Sequence, residues 1–303
     1  MVNNIKKTYI LAIVNRDLEI FSEIKKFLLT NYNIYVIDLI KNDLKPFEAK
    51  RLKKKLKKYP FSFIILKLTT QKNNIEIYKA LQEFAPDIPI LNSVNSVKMC
   101  ESRKATFKFL ESASKKLKYP QTFFSKKDAL NAISNGQEII IKLDSHNPPD
   151  LLKNDRIIGI AKNEDEFNEL VSKYTDQELF FQEYLGKFDI INKVYVIGRW
   201  VVSVVSHNRL NLRNNLTPLE LFHIRVSIAE DFKRRIKRIG RKMGLSIYGL
   251  DYILTDDGPY IVDINDFPSF RTIPEGISLI SDHIYNLINI REQYFKARAK
   301  IKG

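Results

Sequence analysis

The sequence predicts an α/β protein made of a small N-terminal α/β domain and two further α+β units. Apolar runs alternate with amphipathic stretches across residues 1–91, which is typical of a parallel sheet covered by helices. Two later pairs of β-rich segments each flank a short turn and so predict hairpins. With 303 residues and a hydrophobic content of 44%, the chain is long enough to bury two or three separate cores.

The first predicted domain covers residues 1–91. Three apolar runs have the length and composition of buried strands: Tyr9–Val14, Ile34–Leu39 and Phe61–Leu66. Three stretches have helical periodicity: Leu18–Leu29, Glu48–Lys58 and Ile75–Phe84. This β-α-β-α-β-α order predicts a small parallel sheet. Because no glycine-rich loop follows the first strand, a Rossmann dinucleotide site is not expected there.

The second predicted unit covers residues 92–185 and follows a break marked by Pro86 and Pro89. Its predicted helices are Val97–Lys115 and Glu164–Tyr174. Its predicted strands are Ile139–Lys142, Arg156–Ala161 and Glu178–Leu185. The loop Asp144–Pro149 contains no glycine and brings one negative charge, that of Asp144.

The third predicted unit covers residues 186–303. It opens with a hairpin, Lys193–Ile197 and Trp200–Val205, around Gly198-Arg199. A basic helix over Ser227–Met243 should end at Gly244, because glycine tolerates the left-handed conformation that closes a helix. A second hairpin and a last helix complete the unit: Ser246–Leu254 with Tyr260–Ile264, and Ile277–Ile290.

The formal charge of +15 indicates an anionic partner, which could be nucleic acid, an acidic membrane face or a small polyanion. The alternative is a lysine-rich surface that is merely solvated. A single cysteine, Cys100, excludes an internal disulfide and fits a reducing cytosol. No apolar run is long enough to span a bilayer and no signal-peptide pattern is present, so we expect a cytoplasmic protein.

The second hairpin carries the strongest chemical signal. Its tight turn should place Asp251 and Asp263 side by side, and Asn265 lies two residues further along the same strand face. Two carboxylates and a carboxamide are ligands that Mg²⁺ prefers. The alternative is a pair of exposed aspartates, but both interrupt apolar strands, where an unpaired charge is costly. The sequence therefore predicts a magnesium site formed by Asp251, Asp263 and Asn265.

This hairpin, which ends in Asp263-Ile264-Asn265-Asp266-Phe267-Pro268, resembles the C-terminal core of ATP-grasp enzymes. The resemblance implies the ATP-grasp fold, in which two α+β subdomains sandwich ATP beside a small N-terminal domain. It also implies residues that bind the nucleotide. Gln182, Glu183 and Tyr184 would meet the adenine, while Lys142 and Arg103 would contact the phosphates of ATP.

Within that class, three segments resemble the inositol 1,3,4-trisphosphate 5/6-kinase (inositol-tetrakisphosphate 1-kinase) family: Phe63–Thr69, Lys193–Gly198 and Val262–Phe270. The resemblance implies phosphoryl transfer from ATP to an inositol phosphate, with Lys193 also stabilising the moving group. The residues it implies at the substrate are Lys67, His146, Lys193, Arg209, Asn265 and Ser269. Arg209 would replace an arginine of that family from a shifted position.

Two other functions fit parts of the sequence. An ATP-grasp carboxylate–amine ligase would share the metal core but act through an acyl phosphate. A non-catalytic RNA- or membrane-binding protein would use the positive charge alone, and its affinity would fall steeply with salt. Because no aromatic-basic RNA motif is present, we expect no specific nucleic-acid partner. We expect a monomer that binds ATP, Mg²⁺ and an inositol phosphate.

Overall fold

Three β-sheets organise the part of the chain that the structure describes. The structure is a computed structural model, and it describes residues 7–40, 47–114, 116–149, 156–208 and 223–302. Two of the sheets have four strands and the third has five. Each of the three predicted units contributes one sheet, although the domain boundaries themselves stay a prediction.

The N-terminal sheet is parallel, with the strand order β2-β1-β3-β4. Its strands are β1 Thr8–Val14, β2 Ile34–Asp38, β3 Phe61–Lys67 and β4 Ile90–Leu91. Its helices are α1 Leu18–Tyr32, α2 Ala49–Lys58 and α3 Asn74–Phe84. Side chains alternate along β1, so that Ile10 packs with the α1 residue Ile24 while Leu11 packs with Leu52 of α2. The predicted parallel sheet is confirmed, and its strands end towards the candidate site.

The second sheet is antiparallel, with the order β5-β8-β6-β7. Its strands are β5 Thr122–Phe123, β6 Ile139–Leu143, β7 Ile157–Ala161 and β8 Leu179–Glu183. The helices of this region are α4 Val94–Cys100, α5 Arg103–Ala113, α6 Lys126–Ser134 and α7 Glu164–Ser172. The short strand β5 and the helix α6 have no counterpart in the sequence prediction.

The single helix predicted over Val97–Lys115 is wrong, because α4 and α5 are separate helices. The hydroxyl of Ser102 caps α5 by accepting a hydrogen bond from the backbone N–H of Ala105, at 3.1 Å. The preceding residue, Glu101, is held outside the helix. Its carboxylate accepts hydrogen bonds from Asn74 and Tyr78, at 2.6 and 2.5 Å.

The third sheet has the order β11-β10-β9-β12-β13. Its strands are β9 Ile190–Ile197, β10 Trp200–His207, β11 Ile224–Arg225, β12 Ile247–Thr255 and β13 Gly258–Asp266. Its helices are α8 Glu230–Met243 and α9 Gly276–Lys302. Both predicted hairpins are confirmed. Gly244 ends α8 with a φ of 72°, as its position in the sequence predicts.

The two faces of the third sheet have different partners. Val194, Val196 and Leu250 pack in one cluster with Phe232 and Ile236 of α8. Because side chains alternate along a strand, Tyr195 and Ile197 point to the opposite face, where they pack with Ile10 and Phe63 of the N-terminal sheet. No helix among the described residues is both long enough and apolar enough to cross a membrane.

Candidate functional site

A row of three charged residues crosses the centre of the third sheet. Asp251 of β12 lies directly opposite Asp263 of β13 and directly opposite Lys193 of β9. The Lys193 amine lies 3.3 Å from the Asp251 carboxylate. Asn265, opposite Gly249, lies two residues beyond Asp263 on the same face. The predicted neighbours Asp251, Asp263 and Asn265 are therefore brought together by the hairpin register.

Asp263 is surrounded by cations from other elements. Its Oδ2 lies 2.8 Å from His146 Nε2, and its Oδ1 lies 3.5 Å from Arg103 Nε. Burial alone would raise the pKa of Asp263, but His146, Arg103 and Lys142 together hold it well below its usual range. The Oδ1 atom is buried and has no hydrogen-bond partner among the described residues. Asp263 is thus an ionised carboxylate with one oxygen atom that lacks a hydrogen-bond partner among the described residues.

Arg103 is positioned by the start of α5. Its guanidinium donates to the carbonyl oxygens of Leu143 and Ser145, at 2.6 and 3.0 Å. The Asp144 carboxylate accepts from Ser102 Oγ and from the backbone N–H of Lys104, both at 2.7 Å. The negative charge of Asp144 therefore caps the start of α5.

Lys142 joins the second sheet to the β12–β13 hairpin. Its amine donates to Gln182 Oε1 at 2.8 Å and to the Val262 carbonyl oxygen at 3.2 Å. Burial lowers the pKa of Lys142 to about 8. The Nε2 atom of Gln182 is buried without a hydrogen-bond partner among the described residues. The Lys142 amine and the Gln182 Nε2 atom are thus both placed to bind a ligand.

A largely apolar cavity of about 110 Å³ lies between the second and third sheets. The residues predicted to bind ATP all line it: Arg103, Lys142, Gln182, Glu183 and Tyr184. Ile140, Leu185, Ile253 and Val262 supply apolar walls. Asp251 and Asp263 also line this cavity and bring two carboxylates to its wall.

A larger, more polar cavity of about 320 Å³ adjoins it. The two cavities share Arg103, Ile157, Asp251 and Asp263. The larger cavity is also lined by predicted substrate residues, namely His146, Lys193, Asn265 and Ser269. Further cations on its wall are Arg16 and Arg156. The carboxylate pair thus lies between an apolar cavity and a polar cavity lined by three arginines and a lysine together with Asp17.

Lys67 does not line either cavity, in contrast to its predicted place at the substrate. It is 1% exposed, and its amine lies 2.8 Å from the Asp17 carboxylate and donates to the Phe267 carbonyl oxygen at 2.5 Å. Burial lowers the pKa of Lys67 to about 7. Lys67 thus forms an ion pair with Asp17, which lines the larger cavity. Arg209 lies outside the described residues.

Arg16 and Arg156 are site residues that the sequence analysis missed. Arg16 binds the backbone carbonyl and the carboxylate of Asp266, at 2.7 and 3.0 Å. Arg156 donates to the His146 carbonyl oxygen and to Asn147 Oδ1, at 2.9 and 3.0 Å. A signal for Arg16 existed, because it follows β1 at the carboxyl end of a parallel strand, where ligands commonly bind.

The oxygen donors fit a hard divalent cation. The described residues contain no group of three or more His, Cys, Asp and Glu placed to hold a metal. The candidate set instead combines two carboxylates with the carboxamide of Asn265, and phosphate oxygens and water commonly complete such a shell around Mg²⁺. The unsatisfied Oδ1 of Asp263 is the observation that a cation there would explain.

Comparison with known proteins relates part of the chain to a domain family and to a group of kinases. Residues 152–285 match the family model of the RimK-like ATP-grasp domain. The chain is 21% identical over 256 residues to inositol-tetrakisphosphate 1-kinase 2 of Oryza sativa subsp. indica, covering 75% of this chain and 73% of the relative.

Solved ATP-grasp structures share the fold over nearly the whole chain. A RimK domain ATP-grasp protein of Sphaerobacter thermophilus superposes with a TM-score of 0.66 at 12% identity, covering 93% of this chain and 99% of that one. D-alanine–D-alanine ligase of Bacillus anthracis, complexed with ATP, gives a TM-score of 0.62 at 14% identity, with coverages of 94% and 98%. The chain therefore has the ATP-grasp fold, and its residues 152–285 match the RimK-like ATP-grasp domain.

Proposed function

We propose that this protein is a Mg²⁺- and ATP-dependent kinase that transfers the terminal phosphoryl group of ATP to a hydroxyl or phosphate group of an inositol phosphate. The observation that carries the proposal is the shared wall of the two cavities. Asp251, Asp263 and Arg103 face both an apolar cavity of nucleotide-binding character and a cation-lined cavity. Phosphoryl transfer needs such an arrangement, because it depends on positioning and charge neutralisation.

The apolar cavity is the proposed nucleotide site. The Gln182–Tyr184 segment would meet the adenine edge, while the free Nε2 of Gln182 offers a donor. Lys142 and Arg103 would bind the phosphate oxygens, since both are cations at the carboxylate end of this cavity. The amine of Lys142 would exchange its contact with the Val262 carbonyl oxygen for a stronger, charged acceptor.

Asp251, Asp263 and Asn265 would hold Mg²⁺ at the junction of the cavities. Bound there, Mg·ATP would supply the transferable phosphoryl group together with the charge neutralisation that the transfer requires. The cations around Asp263 keep that residue ionised and so ready to bind a metal. Lys193 lies beside Asp251 in the larger cavity, where its amine would stabilise the moving phosphoryl group.

The larger cavity is the proposed inositol phosphate site. A polyphosphorylated ring needs several cations around a small volume, and this wall carries Arg16, Arg103, Arg156 and Lys193. The other residues proposed to contact the substrate are His146, Asn265, Ser269 and Arg209. Lys67 would contribute indirectly, by fixing Asp17 and the backbone at Phe267. The 21% identity to a rice inositol-tetrakisphosphate 1-kinase supports the same substrate class.

A carboxylate–amine ligase is the second candidate, because the solved structures that share the fold include a D-alanine–D-alanine ligase. The ligase would release ADP only when a carboxylic acid and an amine are both present. The kinase would release ADP with an inositol phosphate alone. The arginines and lysine of the larger cavity favour the kinase, since an acid with a single carboxylate needs fewer cations.

A substrate panel tests the proposal. The protein would be incubated with labelled ATP, Mg²⁺ and inositol phosphates of increasing phosphate number, and a parallel series would contain amino acids or dipeptides. The kinase assignment predicts label in an inositol phosphate and no requirement for an amine. ADP formation that needs a carboxylic acid plus an amine, with no labelled inositol phosphate, would contradict the kinase assignment and support the ligase.

A further inference from the structure

A second cationic surface lies on the outer side of the third sheet. Helix α8 packs its apolar residues, including Phe232, Ile236 and Met243, against the sheet face opposite Asp251 and Asp263. Its outer face carries a basic row at helical spacing: Arg234, Lys237, Arg238 and Arg241. These four residues lie at positions i, i+3, i+4 and i+7, so they form one stripe about 10 Å long. The sheet separates this stripe from the candidate catalytic cavities.

The charge of this stripe is largely uncompensated. The acidic residues of α8, Glu230 and Asp231, pair with Lys233, Arg234 and Arg235 near the start of the helix. Among the described residues, no carboxylate lies within ion-pair distance of Lys237, Arg238 or Arg241. A groove of about 530 Å³ runs along the stripe, with Val196, Leu245 and Tyr248 in its floor, and the described residues that line it include no acidic side chain.

An exposed indole adjoins the same surface. Trp200, at the β9–β10 turn, is 46% exposed, and the Arg199 guanidinium lies 4.9 Å from its ring centroid. The Lys237 amine donates to the Arg199 carbonyl oxygen at 3.2 Å, which fixes the turn against the stripe. A large apolar side chain left in solvent beside a row of cations is typical of a surface that meets the lipid headgroup region.

We propose that the basic stripe of α8 and Trp200 form a docking surface for an anionic phospholipid membrane, independent of the catalytic site. The cations would bind the acidic headgroups, and the indole would enter the interfacial region. Single-stranded nucleic acid fits the surface less well, because it is commonly bound by a basic groove with several stacked aromatic side chains. The described side chains beside this stripe supply one such platform, Trp200.

Vesicle co-sedimentation tests the proposal. Wild-type protein should bind vesicles that contain phosphatidylserine and phosphatidylcholine, and should bind pure phosphatidylcholine vesicles weakly. The triple variant R234Q/R238Q/R241Q should bind the acidic vesicles about 100-fold more weakly, from the usual contribution of each basic residue near such a surface. The matched control is K50Q/K54Q/K57Q, which removes three exposed lysines at the same i, i+4, i+7 spacing on α2 and should bind like wild type.

The single tryptophan of the chain provides a direct second readout. The fluorescence of Trp200 should shift to shorter wavelength with acidic vesicles and should stay unchanged in R234Q/R238Q/R241Q. W200S should weaken binding several-fold without changing ATP turnover. Equal loss of binding in the α2 control, acidic-vesicle binding without a shift of Trp200 fluorescence, or tight binding to single-stranded RNA without binding to vesicles would each overturn the proposal.

Discussion

His146 connects the loop after β6 to the last strand of the third sheet through Asp263, with 2.8 Å between its Nε2 and the carboxylate Oδ2. Its Nδ1 lies 3.1 Å from the Cys100 carbonyl oxygen. The imidazole ring is thus held at both nitrogens, between a backbone carbonyl oxygen and the Asp263 carboxylate. His146 therefore orients a proposed metal ligand from a different sheet.

Replacing His146 tests this orienting role. H146Q should lower kcat/KM for ATP by about 10- to 100-fold, the usual cost of removing a residue that orients a metal ligand. The Mg²⁺ concentration that gives half-maximal rate should rise as well, because Asp263 loses its fixed position. Steady-state kinetics at several Mg²⁺ concentrations measure both effects. A variant with an unchanged Mg²⁺ requirement would show that His146 acts only on the substrate.

Lys142 should affect ATP binding more than stability. K142M should weaken ATP binding by about 10- to 100-fold, which corresponds to the about 1.5–3 kcal/mol of a charged hydrogen bond. The free energy of unfolding without ligand should stay within about 2 kcal/mol of wild type, because the removal of a buried amine offsets the loss of its hydrogen bonds to Gln182 and Val262. Calorimetric titration with ATP and urea unfolding of the same variant measure the two quantities. Strong destabilisation with unchanged ATP affinity would make Lys142 a purely structural residue.

Lys67 should contribute mainly to the stability of the fold. K67M should lower the free energy of unfolding by about 3 kcal/mol, because it leaves the carboxylate of Asp17 in a wall of the cavity with Arg271 as its remaining ion-pair partner. The double variant K67M/D17N removes that charge and should recover part of the loss. Denaturant unfolding of the two single variants and the double variant gives the coupling energy. Additive effects would contradict the ion pair.

His283 should make stability fall in mild acid. Burial lowers its pKa below the ordinary value, so the folded protein binds a proton less readily than the unfolded chain does. The contribution of neutral His283 to the free energy of unfolding is therefore constant above about pH 6.5 and is lost progressively as the pH falls below that value. The total loss is about 1.4 kcal/mol for each unit by which the pKa of the folded state lies below that of the unfolded chain. Unfolding of wild type and H283N between pH 7.5 and 5 measures it. The two pH profiles should separate below about pH 6.5, and parallel profiles would contradict this assignment.

Local sequence patterns predicted the β12–β13 hairpin but not its full register. The turn Thr255–Gly258 sets the pairing as far as Tyr252 with Ile261, and continuing it would place Asp251 opposite Val262. A β-bulge between Asp251 and Tyr252 shifts the register and brings Asp251 opposite Asp263. The alternation of strands and helices likewise predicted the parallel N-terminal sheet. These features depend on neighbours in sequence, where spacing determines geometry.

Contacts between distant segments could not be predicted in this way. Arg16 meets Asp266 across 250 positions of the chain, and the burial of Lys67 depends on the backbone at Phe267. A lysine after an apolar strand has the same sequence signature whether it faces a ligand or a buried aspartate. The break before α5 depends likewise on the contact of Glu101 with Asn74 and Tyr78. Only the packing of the three sheets decides these cases.

Replacement of Asp263 tests the magnesium site most directly. The measurement is Mg²⁺-dependent ADP formation by D263N, compared with D256N, which removes an exposed carboxylate from the turn of the same hairpin. We predict that D263N loses at least about 100-fold in turnover and also loses the thermal stabilisation by Mg·ADP, while D256N behaves like wild type. Turnover in D263N within a few-fold of wild type, at an unchanged Mg²⁺ requirement, would contradict the assignment.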